Sequence, residues 1–282
     1  MKNIIVGIDF SDNSINSLKH AVAISLRTGA ALHLVWVKTP GATKGLGGTT
    51  IEDFTKKANE KLQQLAENCK AEAPESSVQT VILEGRPHNE LPRYAANLPN
   101  SIIAIGTHGI SGFEERFIGS NAMKTIAAST VPILVLREGI QIHRDLTQIL
   151  VPIDSSFETL QKVKPAITIA KAFAAKVLIL GVASANIADE SHVVKVQVGH
   201  ASRLCLEANM RYDSEISEYK GQIGKAIVDY AKQEDVNLVM LMKEEQSALE
   251  GILIDGTVQQ LLTISPMPLL IIPNINYFSI TK

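Results

Sequence analysis

One stretch in the first half of the chain combines an apolar run, a loop with spaced glycines and a second apolar run. The loop glycines are followed by a polar pair, in the spacing G-x2-G-x9-G-S-N: Gly106, Gly109, Gly119, Ser120 and Asn121. Glycines let backbone N–H groups approach an anion closely, and a helix that begins at Ser120 adds free donors and a positive dipole end. The spacing therefore predicts a phosphate-binding loop. The alternative is a loop that needs glycines for its own turns.

The elements that must position this loop follow from the apolar pattern of the first half. Five short apolar runs predict strands: Ile4–Ile8, Leu32–Val37, Val78–Leu83, Ile102–Ile105 and Ile133–Leu136. Helical patterns separate them, so we expect a parallel sheet with helices on both faces. Ligands of such sheets bind at the carboxyl ends of the strands, where the strand order reverses. Asp9 follows the first strand and Gly106 ends the fourth, which predicts that both face one crevice.

The first helix is predicted from one periodic face and a glycine stop. Ile15, Leu18, Val22 and Leu26 fall on one side of a helix, and Gly29 ends it. Aspartate and serine before it are side chains that cap helices. Capping is therefore an alternative role for Asp9, as it is for Ser120 before the fourth helix.

The second half of the chain repeats the first. The run that begins at Ile149 (ILVPIDSS) matches the run that begins at Ile4 (IIVGIDFS) at an offset of 145 residues, and Pro268 matches Pro132 at an offset of 136. The second copy is therefore nine residues shorter in its middle, and we expect the omission in the glycine-rich loop of residues 39–49 and the segment after it. The long period indicates a duplicated domain rather than a stacked array of repeats.

Composition narrows the class of protein. The chain has 282 residues, 45% of them hydrophobic, with a formal net charge of −2, which fits a globular protein and argues against a large nucleic-acid surface. The apolar run at the start of the chain is too short for a secretory signal, and no apolar run reaches the length of a membrane span. We therefore expect a cytoplasmic protein that contacts neither membrane nor nucleic acid. Cys69 and Cys205 are predicted to be packing residues.

The paired openings, the G-x2-G-x9-G-S-N loop and the closing TVPILVL resemble the universal stress protein family in its tandem two-domain form. The resemblance covers nearly the whole chain and implies an α/β fold: two doubly wound five-stranded parallel sheets of strand order 3-2-1-4-5, of the adenine nucleotide alpha-hydrolase-like type, packed about a pseudo-two-fold axis. The domains expected are residues 1–139 and 147–274. This packing makes the chain an intramolecular pseudo-dimer, and the fold also permits a homodimer.

The resemblance further implies a binding site for ATP or ADP with Mg²⁺ or Mn²⁺ on its phosphates. Carried over to this sequence, the nucleotide-binding residues are Asp9, Val37, Gly106, Thr107, His108, Gly109, Gly119, Ser120 and Asn121. Asp9 lies near the ribose or a metal-bound phosphate oxygen, and the backbone of Val37 meets the adenine. Simpler roles remain for two of them, strand core for Val37 and an exposed loop histidine for His108. Gly7 departs from the family, which often has proline there.

The second copy has lost the loop glycines. At the offset of 136, Met242, Glu245 and Asp255 replace the three glycines, and Gly256-Thr257 keeps a helix start displaced by one residue. Carboxylates at a phosphate site repel a polyanion, so we expect one nucleotide site, in the first copy. The loss also indicates that the fold tolerates other residues there, which disfavours a purely structural role for the glycines.

Three functions are compatible with these observations. The first is a stress-response or regulatory protein that binds ATP or ADP in the N-terminal domain, with at most slow hydrolysis. Hydrolysis is expected to be slow because the sequence has no P-loop motif and no residue that we can assign as a general base. The second is a nucleotide-independent protein-interaction module of the same fold. The third is an adenylate-chemistry enzyme, which would need a different loop after the first strand.

Overall fold

The computed structural model describes residues 1–39, 51–107, 118–137, 146–243 and 256–274. The chain divides into two compact units, Met1–Arg144 and Asp145–Lys282. No helix in the described parts of either unit has both the length and the apolar character that crossing a membrane requires.

Unit 1 (Met1–Arg144) is a parallel sheet with helices between its strands. Its strands are β1 (Asn3–Ile8), β2 (Ala31–Lys38), β3 (Val78–Glu84), β4 (Ser101–Gly106) and β5 (Ile133–Leu136). Its helices are α1 (Asp12–Thr28), α2 (Ile51–Glu72), α3 (Pro87–Ala96) and α4 (Ser120–Ala128). The strand order is β3-β2-β1-β4-β5 and every pairing is parallel, as predicted. The order reverses between β1 and β4, whose carboxyl ends therefore flank a crevice.

Unit 2 (Asp145–Lys282) has the same architecture. Its strands are β6 (Gln148–Ile153), β7 (Lys176–Ser184), β8 (Tyr212–Tyr219), β9 (Leu238–Lys243) and β10 (Leu269–Pro273), in the order β8-β7-β6-β9-β10. Its helices are α5 (Val163–Phe173), α6 (Glu190–Glu207), α7 (Ile223–Gln233) and α8 (Gly256–Ile264). A 3₁₀ helix (Glu158–Lys162) precedes α5, whereas in unit 1 the helix α1 begins directly after its cap residue.

The strand registers confirm both repeat offsets. Ile4 pairs with Ile102 in unit 1, and Ile149 pairs with Leu238 in unit 2. These pairs differ by 145 residues on the first strand and by 136 on the fourth. The shortening also lies where it was expected. Residues 39–50 connect β2 to α2 but residues 185–189 suffice between β7 and α6, and α6 has 18 residues against 22 in α2.

Local sequence explains how α1 begins and ends. Ser11 is its N-cap residue, and the Ser11 hydroxyl accepts a hydrogen bond from the backbone N–H of Ser14. Gly29 follows the helix in the left-handed region, at φ 65°, as a glycine stop requires. One part of the predicted buried face is wrong, because Leu26 is 54% exposed. Ser25 is buried instead, where its hydroxyl donates to the carbonyl of Ala30.

The cysteines are packing residues, as predicted. Cys69 on α2 and Cys205 on α6 are both buried free thiols. Burial raises the pKa of each thiol to about 11, which keeps it protonated and unreactive near neutral pH.

Unit 1 contains a network of polar side chains around the buried residue His33. His33 on β2 is 3% exposed, and its two ring nitrogens contact the Tyr94 hydroxyl at 2.9 Å and Asn3 Oδ1 at 3.1 Å. Burial lowers the pKa of His33, because the charged imidazolium would be poorly solvated there. In unit 2 the offset of 145 puts Leu178 at this place, so the fold also accepts an apolar side chain there.

Candidate functional site

A cavity of about 400 Å³ opens at the carboxyl ends of the central strands of unit 1. It is lined by the end of β1, the end of β2, the end of β4 and the beginning of α4. Cavities of this size accept small molecules and cofactors. The crevice predicted from Asp9 and Gly106 is confirmed, because both residues line this one cavity.

Part of the cavity lining is an apolar wall. It consists of Val35, Trp36 and Val37 of β2, Phe54 of α2 and Leu91 of α3. Trp36 is 7% exposed, and its ring centroid lies 5.8 Å from that of Phe54 on α2. Such a wall offers an aromatic and aliphatic surface to the flat face of a heterocycle.

The beginning of α4 forms another part of the cavity lining. Gly119, Ser120, Asn121 and Ala122 line it. Gly119 is the N-cap residue and has no side chain with which to close the helix end. The first N–H groups of a helix have no partner within the helix, and they carry the positive end of the helix dipole. This part of the cavity therefore suits an anion. The alternative role of Ser120 as the helix cap is wrong, because Ser120 is already the first helical residue.

The beginning of α1 differs, because the protein's own side chains close it. The Asp9 carboxylate atom Oδ1 accepts hydrogen bonds from the backbone N–H of Ser11 at 3.0 Å and from the Ser11 hydroxyl. Asp9 thus does not cap the helix itself but orients Ser11, which does. Asp154 in unit 2 accepts the corresponding two bonds from Ser156. This arrangement occurs in both units and therefore has a structural role in each.

The predicted site residues come together where the structure describes them. Asp9, Val37, Gly106, Thr107, Gly119, Ser120 and Asn121 all line the cavity. Both ends of the loop are joined at its base, because the Gly119 N–H donates to the Thr107 carbonyl at 2.7 Å. His108 and Gly109 lie outside the described residues.

The structure adds cavity residues that the motif does not contain. Trp36 could have been found from its place at the carboxyl end of a predicted central strand, one residue before Val37. Phe54, Pro87 and Leu91 come from helices whose positions over the sheet depend on tertiary packing, and the sequence carries no local signal for them.

Gly106 has a packing role that the repeat comparison did not indicate. A Cβ atom at Gly106 would lie 2.8 Å from the Asn13 Cβ and 3.1 Å from the Asn13 backbone, so α1 can approach β4 only because this residue has no side chain. Gly106 therefore has a structural role, and the loss of the glycine in the second copy is weaker evidence against a purely structural explanation for this glycine.

Unit 2 has a different arrangement at the position equivalent to Gly106. Met242 pairs with Ile272 as Gly106 pairs with Leu136, so the two residues are equivalent in the sheet. Met242 is buried, and the segment that contacts β9 there is the 3₁₀ helix instead of the first turn of an α-helix. The fold thus tolerates a side chain at this position together with a different beginning of the following helix.

The helix after the altered loop is present in unit 2. α8 is described from Gly256, which is the equivalent of Ser120 at the offset of 136. Residues 244–255 before it contain four carboxylates and no lysine or arginine. Glu245 and Asp255, which replace loop glycines, lie outside the described residues.

The fold and the cavity together define a class of protein. It has two doubly wound α/β domains in tandem, and the first domain has a crevice where its strand order reverses. The sequence model of the universal stress protein family matches residues 1–137 and again residues 146–273. The chain belongs to the universal stress protein family.

Individual relatives agree with this assignment. The universal stress protein YxiE of Bacillus subtilis is 31% identical over 143 residues, which are 47% of this chain and 97% of that protein. The universal stress protein MJ0531 of Methanocaldococcus jannaschii is 30% identical over 140 residues, 49% of this chain and 82% of that protein. The crystal structure of a universal stress protein from Archaeoglobus fulgidus superposes with a TM-score of 0.79 at 18% identity, and covers 97% of this chain and 98% of that one.

Proposed function

We propose that unit 1 binds an adenine nucleotide, ATP or ADP, and that the chain acts as a stress-response or regulatory protein through this binding. The observation that carries the proposal is one cavity whose lining combines apolar residues with the uncapped beginning of a helix. An apolar wall at the end of β2 suits the base, and the uncapped beginning of α4 suits the phosphates. Asp9, which follows the end of β1, lines the same cavity and offers a polar group to the sugar.

A divalent cation, Mg²⁺ or Mn²⁺, fits the charges of this cavity. Asp9 is the one charged side chain among the described residues that line it. An unscreened carboxylate repels a polyphosphate, and a cation between them removes the repulsion. No group of three or more potential ligands exists among the described residues, so the phosphate oxygens would supply most of the ligands and Asp9 at most one or two.

Binding rather than turnover is the activity that the cavity supports. Efficient phosphoryl transfer requires a residue that positions the nucleophile and cations that stabilise the transition state. The described lining offers hydroxyls, amides and one carboxylate, whose Oδ1 already accepts two hydrogen bonds from Ser11. We therefore propose at most slow hydrolysis, with occupancy by ATP or ADP as the regulated quantity.

The experiment that tests this proposal is calorimetric titration of the full chain with ATP and ADP, with and without Mg²⁺. Mass spectrometry of the denatured protein detects nucleotide that co-purifies. The lone tryptophan of the chain, Trp36, lines the cavity, so its fluorescence should change on binding. Absence of binding of ATP, ADP and AMP below millimolar concentrations would overturn the proposal and favour the interaction module.

A pair of matched variants tests which unit binds. Gly109→Glu introduces a carboxylate into the glycine loop and should abolish ATP binding while the fold is retained. Glu245→Gly, the reverse change at the equivalent position of unit 2, should create no second site. A new site in Glu245→Gly, or unchanged binding in Gly109→Glu, contradicts the assignment of the phosphates to this loop.

A further inference from the structure

Two helices of unit 1 meet through a pair of polar side chains beside the cavity. His88 lies in the first turn of α3, and its Nδ1 is 3.4 Å from Oδ1 of Asn121, in the first turn of α4. Asn121 lines the cavity, and so does Pro87, the residue before His88. His88 thus contacts a cavity-lining residue at the beginning of α4, where we propose that the phosphates bind.

In this contact Oδ1 of the Asn121 amide faces His88, and the roles of the two groups depend on the His88 tautomer. A carbonyl oxygen only accepts, so the contact forms with the tautomer that carries its proton on Nδ1. With Oδ1 turned to His88, the NH₂ end of the amide points away from His88. An NH₂ group donates to a phosphate, whereas an amide oxygen in its place would repel it.

We propose that His88 is a positioning residue for phosphate recognition: it holds Asn121 in the one orientation that presents donors to the phosphate groups of a nucleotide. This inference rests on the proposed nucleotide site of unit 1. It predicts that the site prefers phosphorylated ligands to the free nucleoside, because the Asn121 amide then contacts only the phosphate groups of a ligand.

Unit 2 provides an internal contrast. At the offset of 136, Gly224 stands for His88 and Thr257 for Asn121, so the pair is missing where the glycine loop is also missing. The equivalent helices α7 and α8 are joined instead by the Gly224 N–H, which donates to Gln260 Oε1 at 3.1 Å. The helix pair therefore packs without a histidine and an asparagine, and a purely structural need for His88 is not supported.

The test compares ATP with adenosine in four versions of the full chain: wild type, His88→Phe, Asn121→Ala and the double variant. Affinities are measured by calorimetry and by Trp36 fluorescence. His88→Phe keeps a ring but removes the donor, and it should weaken ATP binding by about 3- to 10-fold, the usual effect of one hydrogen bond. Adenosine affinity and the melting temperature should be unchanged. In the Asn121→Ala background, His88→Phe should cause no further loss.

Two additional variants sharpen the result. His88→Gln retains an N–H donor and should restore most of the ATP affinity. Asn89→Ala changes the exposed neighbouring residue on α3 and should leave binding as in wild type. A loss of ATP affinity that is equal in the presence and absence of the Asn121 side chain would overturn the inference, as would an equal loss for adenosine.

Failure of this inference is distinct from failure of the proposed function. If wild type binds ATP and His88→Phe binds it equally well, the nucleotide site stands and the positioning role is wrong. If wild type binds neither ATP nor ADP, the proposed function itself is wrong and the role of His88 is overturned with it.

Discussion

At the scale of single residues, Gly106 links the fold of unit 1 to its cavity. It ends β4, lines the cavity, and lets the first turn of α1 approach closely through Asn13. The same residue is therefore required for packing and lies beside the predicted ligand. A substitution there tests packing first, and loss of binding in such a variant would not by itself identify a ligand contact.

Gly106→Ala should destabilise unit 1 by about 1–3 kcal/mol, because the added methyl group meets the backbone of Asn13, which cannot rotate away. Denaturant unfolding followed by Trp36 fluorescence measures the change. The control is Gly199→Ala in the middle of α6, where a Cβ meets no atom within 4 Å. That variant should be neutral or more stable by about 0.5–1 kcal/mol. Equal effects of the two changes would contradict the packing role of Gly106.

His33 should make the stability of unit 1 dependent on pH. Its pKa is lowered in the folded protein from the usual value near 6.5, so the unfolded chain takes up the proton first as the pH falls. Stability is therefore fully present above about pH 6.5 and declines below it, by at most about 1.4 kcal/mol per pH unit. His33→Leu, which copies Leu178 of unit 2, should flatten this decline in denaturant unfolding between about pH 5 and 7. An unchanged slope would contradict the assignment.

The sequence predicted several cavity residues in two ways. The strand ends indicated Asp9 and Gly106, and the family resemblance implied Val37 and Asn121. The sequence did not predict that Asp9 orients a separate cap, nor that His88 contacts Asn121. Both depend on which helix ends meet in three dimensions, and no local spacing encodes that distance.

At the scale of secondary-structure elements, the two units differ most in the segment after the first strand. In unit 1 this segment is a capped α-helix, whereas in unit 2 a 3₁₀ helix comes first and α5 begins at Val163. The hydrogen bonds of the preceding aspartates are the same in both. The difference therefore lies in the helical segment after the turn. It occurs in the unit that has the side chain of Met242 where the other unit has Gly106.

Ser11→Ala should reduce the stability of unit 1 by about 1 kcal/mol, because it removes the cap of α1 and one of the two donors to Asp9. The matched change in unit 2 is Ser156→Ala. It removes the hydroxyl bond to Asp154 but no helix cap, since Phe157 precedes the 3₁₀ helix without a side-chain cap. The effect of Ser156→Ala should be the smaller one in denaturant unfolding followed by circular dichroism. A larger effect of Ser156→Ala would show that the aspartate turn matters more than the cap.

The order and direction of the strands could be predicted from the sequence, since a repeated alternation of apolar runs and amphipathic helices permits few topologies. The exact buried face of α1 could not. Leu26 lies four residues after Val22, but the buried stripe of α1 continues through Ser25 instead, whose hydroxyl makes a hydrogen bond there. The 3₁₀ helix was also not predicted, because it depends on contact with β9, a strand far away in the sequence.

At the scale of the whole chain, two copies of one fold carry different residues after the fourth strand of each sheet. The glycine loop with its uncapped helix belongs to unit 1, and the equivalent loop of unit 2 is rich in carboxylates. We therefore expect the copies to have separate tasks, with ligand binding in the first.

Titration of the full chain with Mg-ATP should give about one bound nucleotide per chain. The physical reason is electrostatic, because four carboxylates in residues 244–255 repel a polyphosphate from unit 2. Calorimetry gives the stoichiometry directly, and the wild-type value should persist in Glu245→Gly. Two equivalent sites per chain would contradict the difference between the units.

The bond between the Gly119 N–H and the Thr107 carbonyl has a consequence for how this family member can change. It joins the two ends of the segment between Thr107 and Gly119, so the connection of the sheet to α4 does not depend on that segment alone. The entropy of closing a loop grows only slowly with its length, by about 0.6 kcal/mol per doubling. We therefore expect this segment to accept insertions and replacements while the scaffold is preserved, which would make it an acceptor for grafted binding sequences.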